Sequence, residues 1–283
     1  MLLVMAQTPK KPRGRPRLTF SESSAGTMQA LDRALIVLSA LARAGHASLT
    51  DLSLAVGVPA PTTHRILTTL QKQGYAAFDE ATQHWMVGLE AYRTGTAYLA
   101  RTSLQEVGRP VMRRLMEATG ETANLAVPDT SGTGAEVVFV GQVETPNPIR
   151  AFFAPGTRTA MHASGTGKAI LATLDEARVR RMLERAGLPR FTPATLTEPA
   201  AFFADMAETR ARGWSFDREE RYLGMCCIGA AIFDARGEAV AGISISGPTS
   251  RFDPTRIAGF GEAVRDAART ITEGIGGSMI SAD

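Results

Sequence analysis

Apolar positions fall into helical spacing once the chain passes residue 27. In "MQALDRALIVLSALARAG", Leu31, Ala34, Leu35, Leu38 and Leu41 recur every three or four residues and predict an amphipathic helix closed by Gly45. The next stretch, "SLTDLSLAVGVPAPTTHRILTTLQKQGY", predicts two more. Ser48 and Asp51 have the spacing of a capping box and open a short helix with Leu52, Ala55 and Val56 inward. Gly57 and the prolines of "GVPAP" end it. A second helix runs from about residue 61 to 73 and stops at Gly74, with Thr63, Ile66, Leu67 and Leu70 on one face and Pro61, Thr62, Arg65, Thr68, Thr69 and Lys72 on the other. Residues 75–78 and 84–87 read as two short strands around a polar turn.

Helix, helix, turn, helix and hairpin in that order are the parts of a winged helix-turn-helix over residues 27–88. The outward face of the last helix is small, hydroxylated and basic, which suits insertion in a major groove. Small residues allow close approach, threonine hydroxyls reach phosphates or base edges, and arginine bonds guanine in a bidentate fork. Pro61, Thr62, Thr63, His64, Arg65, Thr68 and Lys72 are therefore the candidate DNA contacts, and double-stranded DNA the candidate partner. Residues 89–103, "LEAYRTGTAYLARTS", carry a stripe of Leu89, Tyr92, Thr96 and Leu99 and read as a linker helix that can pair with its copy in a homo-oligomer.

From residue 104 to the end the pattern changes. An amphipathic helix ("LQEVGRPVMRRLMEATG") precedes strand-like segments "ETANLAVPD", "AEVVFVGQVE" and "IRAFFAP". A helix over "SGTGKAILATL" follows, then two helices near 175–186 and 198–212, strands at "GWSFDRE", "CCIGAAIFDA" and "EAVAGISISG", and a terminal helix near 254–275. This order predicts an α+β domain with a sensory role.

Charge adds one feature. The net charge is only +3, but the first 95 residues carry ten Lys/Arg against six Asp/Glu, leaving −1 for the rest. Half of those ten sit in "KKPRGRPR", residues 10–17, within a segment 1–26 that reads as a disordered basic arm. Arg13-Gly14-Arg15-Pro16 is similar to an AT-hook, whose Arg-Gly-Arg lies along a narrow A·T minor groove. The start "MLLVMAQTPKKP" has its apolar stretch before the basic block, the reverse of a secretory signal, and no apolar run approaches the roughly 18 residues of a membrane span. The adjacent Cys226 and Cys227 form no disulfide framework, so a reducing cytoplasm is expected, and the scattered His46, His64, His84 and His162 have no metal-ligand spacing. Neither a metal nor a cofactor is expected.

Four stretches in the second domain carry candidate chemistry. "MHASGTGKAI" invites a phosphate-loop reading and fails it: His162 stands where the first glycine belongs, and Ala169 follows Lys168. What remains is a Ser/Gly/Thr turn entering a helix, whose free N–H groups suit a small anion. "FDREERYLGMCCIG" holds Asp217, Glu219 and Glu220, without a partner histidine or nucleophile that would make them catalytic; salt-bridged or solvated charges are the commoner outcome. Cys226 and Cys227, on one strand, face opposite ways. Ser244 and Ser246 of "GISISGP" share a strand face and can bond a small polar ligand or simply backbone.

Taken in order, "LDRALIVLSAL", "LTDLSLAVGVPAPTTHRILTTLQKQGY", "MHASGTGKAILA" and "GWSFDREERYLGMCCIGAAIFDARGEAVAGISISGP" resemble the IclR family of bacterial transcription regulators over nearly the whole ordered chain. The resemblance implies an N-terminal winged helix-turn-helix, a linker helix, a GAF-like α/β effector-binding domain over 104–283, and a homodimer or homotetramer. "FTPATL", "DREE" and "SISGPTSR" are similar to a glyoxylate-responsive branch of that family. Carried over from that branch, the effector contacts are Gly165, Thr166, Asp217, Cys227, Ser244 and Ser246. Thr166 stands where the branch has alanine, which changes pocket volume and polarity, and Cys226 replaces an asparagine. Two other readings stay open: an IclR-type regulator answering a different acid, such as an aromatic one, and an oxoacid-converting enzyme using Asp217 and Cys227. A sensor binds and releases its ligand unchanged, so no catalytic residue is assigned.

Overall fold

The computed structural model describes residues 28–99, 104–129, 131 and 134–278. The basic arm with Arg13 and Arg15, and residues 100–103 of the expected linker helix, lie outside the described residues. The chain divides into two compact units between Thr96 and Ala97.

The first unit contains α1 (Gln29–Ala44), β1 (His46–Ala47), α2 (Leu49–Val56), α3 (Ala60–Lys72), β2 (Ala76–Asp79), β3 (His84–Val87) and α4 (Leu89–Leu99). The three strands form an antiparallel sheet in the order β1-β3-β2. The Ser48 hydroxyl accepts from the Asp51 N–H at 3.2 Å and donates to its carboxylate at 2.7 Å, so α2 starts on the expected cap. Gly57, at φ 64°, ends it in the left-handed conformation. Val37, Leu41, Leu52, Leu67 and Trp85 fill the core.

The sequence pattern overstated two faces. Leu31 and Leu35 are about half exposed; α1 instead buries Val37, Ala40 and Leu41, the face turned to α2 and α3. Ala55 is exposed, and only Leu52 of its trio is fully inside. A unit of this size covers a narrow stripe of each helix, so apolar spacing alone marks more than is buried.

The second unit contains α5 (Leu104–Thr119), β4 (Thr122–Asp129), β5 (Glu136–Val143), β6 (Arg158–Ala160), α6 (Gly165–Leu171), α7 (Glu176–Ala186), α8 (Pro199–Arg212), β7 (Ser215–Arg218), β8 (Met225–Phe233), β9 (Ala239–Pro248) and α9 (Pro254–Gly274). Six strands form one antiparallel sheet in the order β6-β5-β4-β9-β8-β7. On one side Leu125, Ile228, Ile243 and Ile245 pack with Leu115 of α5 and Val264 and Ile271 of α9. On the other, Ala126, Val137 and Phe139 pack with Ile170 and Leu171 of α6, Val179 of α7, and Phe202 and Met206 of α8. Each such large side chain contributes roughly 1.5–3 kcal/mol on full burial. The segment "IRAFFAP" is not a strand; the pairing strand is β6, three residues further on. Pro148 and Pro155 cannot donate to a ladder, and Phe153 leaves the sheet plane to stack on Phe139 at 4.6 Å.

Candidate functional site

In the first unit, α3 presents Pro61, His64, Arg65, Thr68 and Lys72 to solvent, with Thr62 half-buried. Thr63 is a correction to the list of DNA contacts. It is fully buried, and its hydroxyl donates to the Val58 carbonyl at 3.0 Å. Ser53 donates to the same carbonyl at 2.7 Å. Two hydroxyls on one carbonyl fix the turn between α2 and α3, which sets the angle at which α3 projects. The Thr68 and Thr69 hydroxyls donate back to the His64 and Arg65 carbonyls, leaving their methyl groups and an acceptor lone pair outward. The wing turn bears Asp79 and Glu80 and neither lysine nor arginine, so it offers no counter-charge to a phosphate. A cation that sequence spacing did not single out joins the face instead: Arg33 of α1 and Arg65 line one groove with Thr62 and Thr69.

In the second unit, strand pairing assembles the other candidate residues. Asp217 of β7 lies opposite Cys227 of β8, which lies opposite Ser246 of β9. Gly229 lies opposite Ser244. Alternation along β8 sends Cys226 into the core beneath α5 and α9, and Cys227 toward α6. The start of α6 presses onto these strands. A methyl group added to Gly229 would fall 2.4 Å from the Gly165 carbonyl carbon, and one added to Gly165 would fall 2.6 Å from Cys227 Sγ. Only glycine at both positions allows this approach.

The result is a cavity of about 30 Å³ lined by Thr166, Asp217, Cys227 and Ser246, with Phe139, Phe153 and Tyr222 among its other walls. A bound water needs roughly 10–15 Å³ of such space, so the cavity suits a ligand of very few heavy atoms. Gly165 and Ser244 sit behind its wall rather than on it. The Thr166 hydroxyl on the wall is buried with no hydrogen-bond partner among the described residues, so it is free to meet a polar atom of a ligand. Asn124 of β4, not anticipated from the sequence, donates to the Ser246 hydroxyl at 3.2 Å and accepts from Gln142 at 2.9 Å. Ser246 thus has its oxygen engaged by Asn124 while its own proton is within reach of the Cys227 sulfur.

The charges here are unusual. Lys168 is completely buried, bonded to Glu220 and the Phe216 carbonyl at 2.5 Å each and to Asp205 at 3.0 Å. Burial alone would lower its ammonium pKa, but Glu220 and Asp205 outweigh burial and hold it above the usual lysine range. Lys168 is therefore spent within the protein. Asp217 accepts the Glu220 N–H at 2.7 Å; burial first, and then the Glu220 charge, raise its carboxyl to about 7. Burial, with the Asp217 charge next, pushes the Cys227 thiol up to about 11, while the Ser246 and Ser244 hydroxyls and the Gly165 N–H favour the thiolate more weakly. Cys227 stays a thiol at neutral pH, the wrong state for a nucleophile. The anion cradle expected at α6 is also small: the helix has seven residues, and its Gly167 N–H is taken by Ser164 Oγ at 3.1 Å. Among the described residues no cluster of His, Cys, Asp and Glu is arranged to hold a metal ion, and no helix is long and apolar enough to cross a membrane.

A winged helix in one unit and an α/β unit with a small cavity in the other match the two-part build of a DNA-binding transcription regulator. Comparison with known proteins gives the family. Residues 30–80 match the IclR helix-turn-helix domain, and residues 96–273 match the C-terminal domain of bacterial IclR transcriptional regulators. The chain belongs to the IclR family. It is 48% identical to the HTH-type transcriptional regulator BhcR of Paracoccus denitrificans strain Pd 1222, covering 94% of this chain and 93% of that one. It is 41% identical to the transcriptional repressor IclR of Escherichia coli strain K12, covering 97% and 99%. The crystal structure of an IclR transcriptional regulator from Silicibacter sp. TM1040 shares 25% identity at a TM-score of 0.76, covering 89% and 98%.

Proposed function

We propose that this regulator binds operator DNA through α3 and that a short oxoacid, glyoxylate above others, tunes that affinity by entering the cavity between α6 and the sheet. The observation that carries the effector reading is the cavity's size together with its lining. About 30 Å³ beside Thr166, Asp217, Cys227 and Ser246 suits a two- or three-carbon acid better than an aromatic ring. Asn124 orients Ser246 as a donor to a carbonyl or hydrate oxygen. Thr166 adds a hydroxyl to the same wall. Gly165 and Ser244 shape the site from behind: one admits the helix, the other leans on the Cys227 sulfur.

On the DNA, Pro61, Thr62, His64, Arg65, Thr68 and Lys72 form the reading face, and the arm with Arg13 and Arg15 adds a minor-groove contact. The protein acts in the cytoplasm as a homodimer or homotetramer, so that paired α3 helices meet successive half-sites. Effector regulates only if it binds the DNA-competent and incompetent states unequally.

The experiment is a titration of labelled promoter DNA by fluorescence anisotropy, with and without glyoxylate, beside calorimetry of the free protein. A change in operator affinity with saturable heat is expected. Unchanged affinity and no heat would discard the effector; heat with 4-hydroxybenzoate instead would transfer the site to aromatic acids.

A further inference from the structure

A carboxylate that enters this cavity has a charge problem. Asp217 is on the wall, and Lys168 is already held by Glu220 and Asp205. With only seven residues and one of its first N–H groups capped by Ser164, α6 offers little compensation. Moving an uncompensated carboxylate out of water is expensive, so a ligand of this class needs a cation within reach.

One cation on the cavity wall remains unspent. Arg221, in the loop between β7 and β8, forms no ion pair among the described residues, and its Nε is buried without a hydrogen-bond partner. Its guanidinium carbon lies over the Phe191 ring, 3.8 Å from the centroid, and 5.4 Å from the Tyr222 ring. The ring holds the cation in place without using its N–H donors, so they stay available for hydrogen bonds. Arg221 and Thr159 also line a second, larger cavity of about 270 Å³, whose walls include His162 and Arg185. The two residues are therefore common to the walls of both cavities. His162 donates from Nε2 to the Pro189 carbonyl at 3.1 Å, and burial holds its pKa below the usual range, so it is neutral and does not replace Arg221 as the counter-charge.

We propose that Arg221, on the wall shared by the two cavities, receives the effector's carboxylate and so selects short acids over their neutral counterparts, with the oxo end pointing inward to Cys227 and Ser246. This rests on the short-oxoacid reading above and names the residue that gives that reading its charge selectivity. The inner cavity then limits what lies beyond the carboxylate to two or three heavy atoms, and anything longer must extend outward past Arg221. In the cluster "FDREERYLG" it is the last arginine, rather than the acids, that supplies the charge such a ligand needs.

Calorimetry of the full-length protein with glyoxylate and with glyoxylamide, which has the same shape without the charge, tests this. Wild type is expected to prefer the acid by about 10- to 100-fold, the range of a charged hydrogen bond. Arg221→Gln is expected to erase that preference, Arg221→Lys to keep part of it, and Phe191→Leu to weaken both ligands while preserving their ratio. An acid-over-amide ratio unchanged in Arg221→Gln overturns the assignment and leaves the oxoacid reading standing. Wild type that binds neither glyoxylate nor pyruvate overturns that reading and the role of Arg221 with it. Should Arg221→Gln not fold, the Arg221→Lys ratio decides: below wild type supports the assignment, equal to wild type overturns it.

Discussion

The outward face of α3 and the cavity between α6 and the sheet are built in opposite ways. The first is one stretch of chain: α3 presents residues at helical spacing, and its neighbours set only its angle. The second has no local existence. Thr166 comes from α6, Asp217 from β7, Cys227 from β8 and Ser246 from β9. Its residues are neighbours because of strand register and because Gly165 and Gly229 let a helix touch the sheet. A surface made from one element tolerates change in the rest of its unit, whereas a cavity made from four does not.

The sharpest way to break this contrast is to disturb the buried charge cluster. Lys168→Ala leaves Glu220 and Asp205 buried without their cation, a loss of roughly 3–5 kcal/mol for a broken buried pair. Calorimetric melting is expected to show the second unit unfolding well below wild type while the first unit's transition holds its temperature. A common shift of both would mean that the units fold as one. On the reading face the expected effect is smaller and purely functional. Arg65→Ala lowers operator affinity about 10- to 100-fold, the worth of a bidentate contact, with effector heats unchanged. Anisotropy and calorimetry on the same sample check both halves.

Protonation separates the two regions again. The Asp217 carboxyl lies at about 7 in the folded protein against 3.8 for an ordinary aspartate. The native state therefore holds this proton more tightly than the unfolded chain. That stabilisation is complete below pH 3.8 and is lost as pH rises to about 7. An effector carboxylate meets a neutral side chain below pH 7 and an anion above it. Effector affinity is expected to fall by up to about 10-fold per pH unit above 7, and Asp217→Asn to flatten that profile without altering operator binding. A pH-independent effector affinity in wild type would place the ligand away from Asp217. The smallest expected effect concerns Thr63. Thr63→Val removes its bond to the Val58 carbonyl, which retains Ser53, and costs about 1 kcal/mol of stability. Operator preference among base-substituted sites should not change. A shift in preference would return Thr63 to the reading face.

The elements themselves were largely legible in the pattern of apolar positions. The cap at Ser48, the stop at Gly57 and the helices α3, α5 and α9 follow from spacing and from residues with one preferred conformation. The site was legible only in part. Asp217, Cys227 and the two serines came from family resemblance and strand alternation. Asn124, Gln142, Phe139 and Arg221 did not, because nothing local distinguishes an asparagine that faces a serine 122 residues away, or an arginine that lacks an acid, from any other. The false strand at "IRAFFAP" has the same origin: apolar alternation cannot tell a ladder from a loop that packs a phenylalanine.

By itself, then, the sequence determined the winged helix, the order of elements in the second unit, the family, and the opposite facing of Cys226 and Cys227. Those depend on local backbone preference and on periodicity, which neighbouring residues encode. Tertiary structure alone decided that Thr63 supports the turn, that Lys168 is locked among acids, and that Arg221 is a cation without an ion pair among the described residues, on the wall of a cavity of about 30 Å³. Burial and charge pairing depend on which distant groups meet, and a linear pattern does not carry that information.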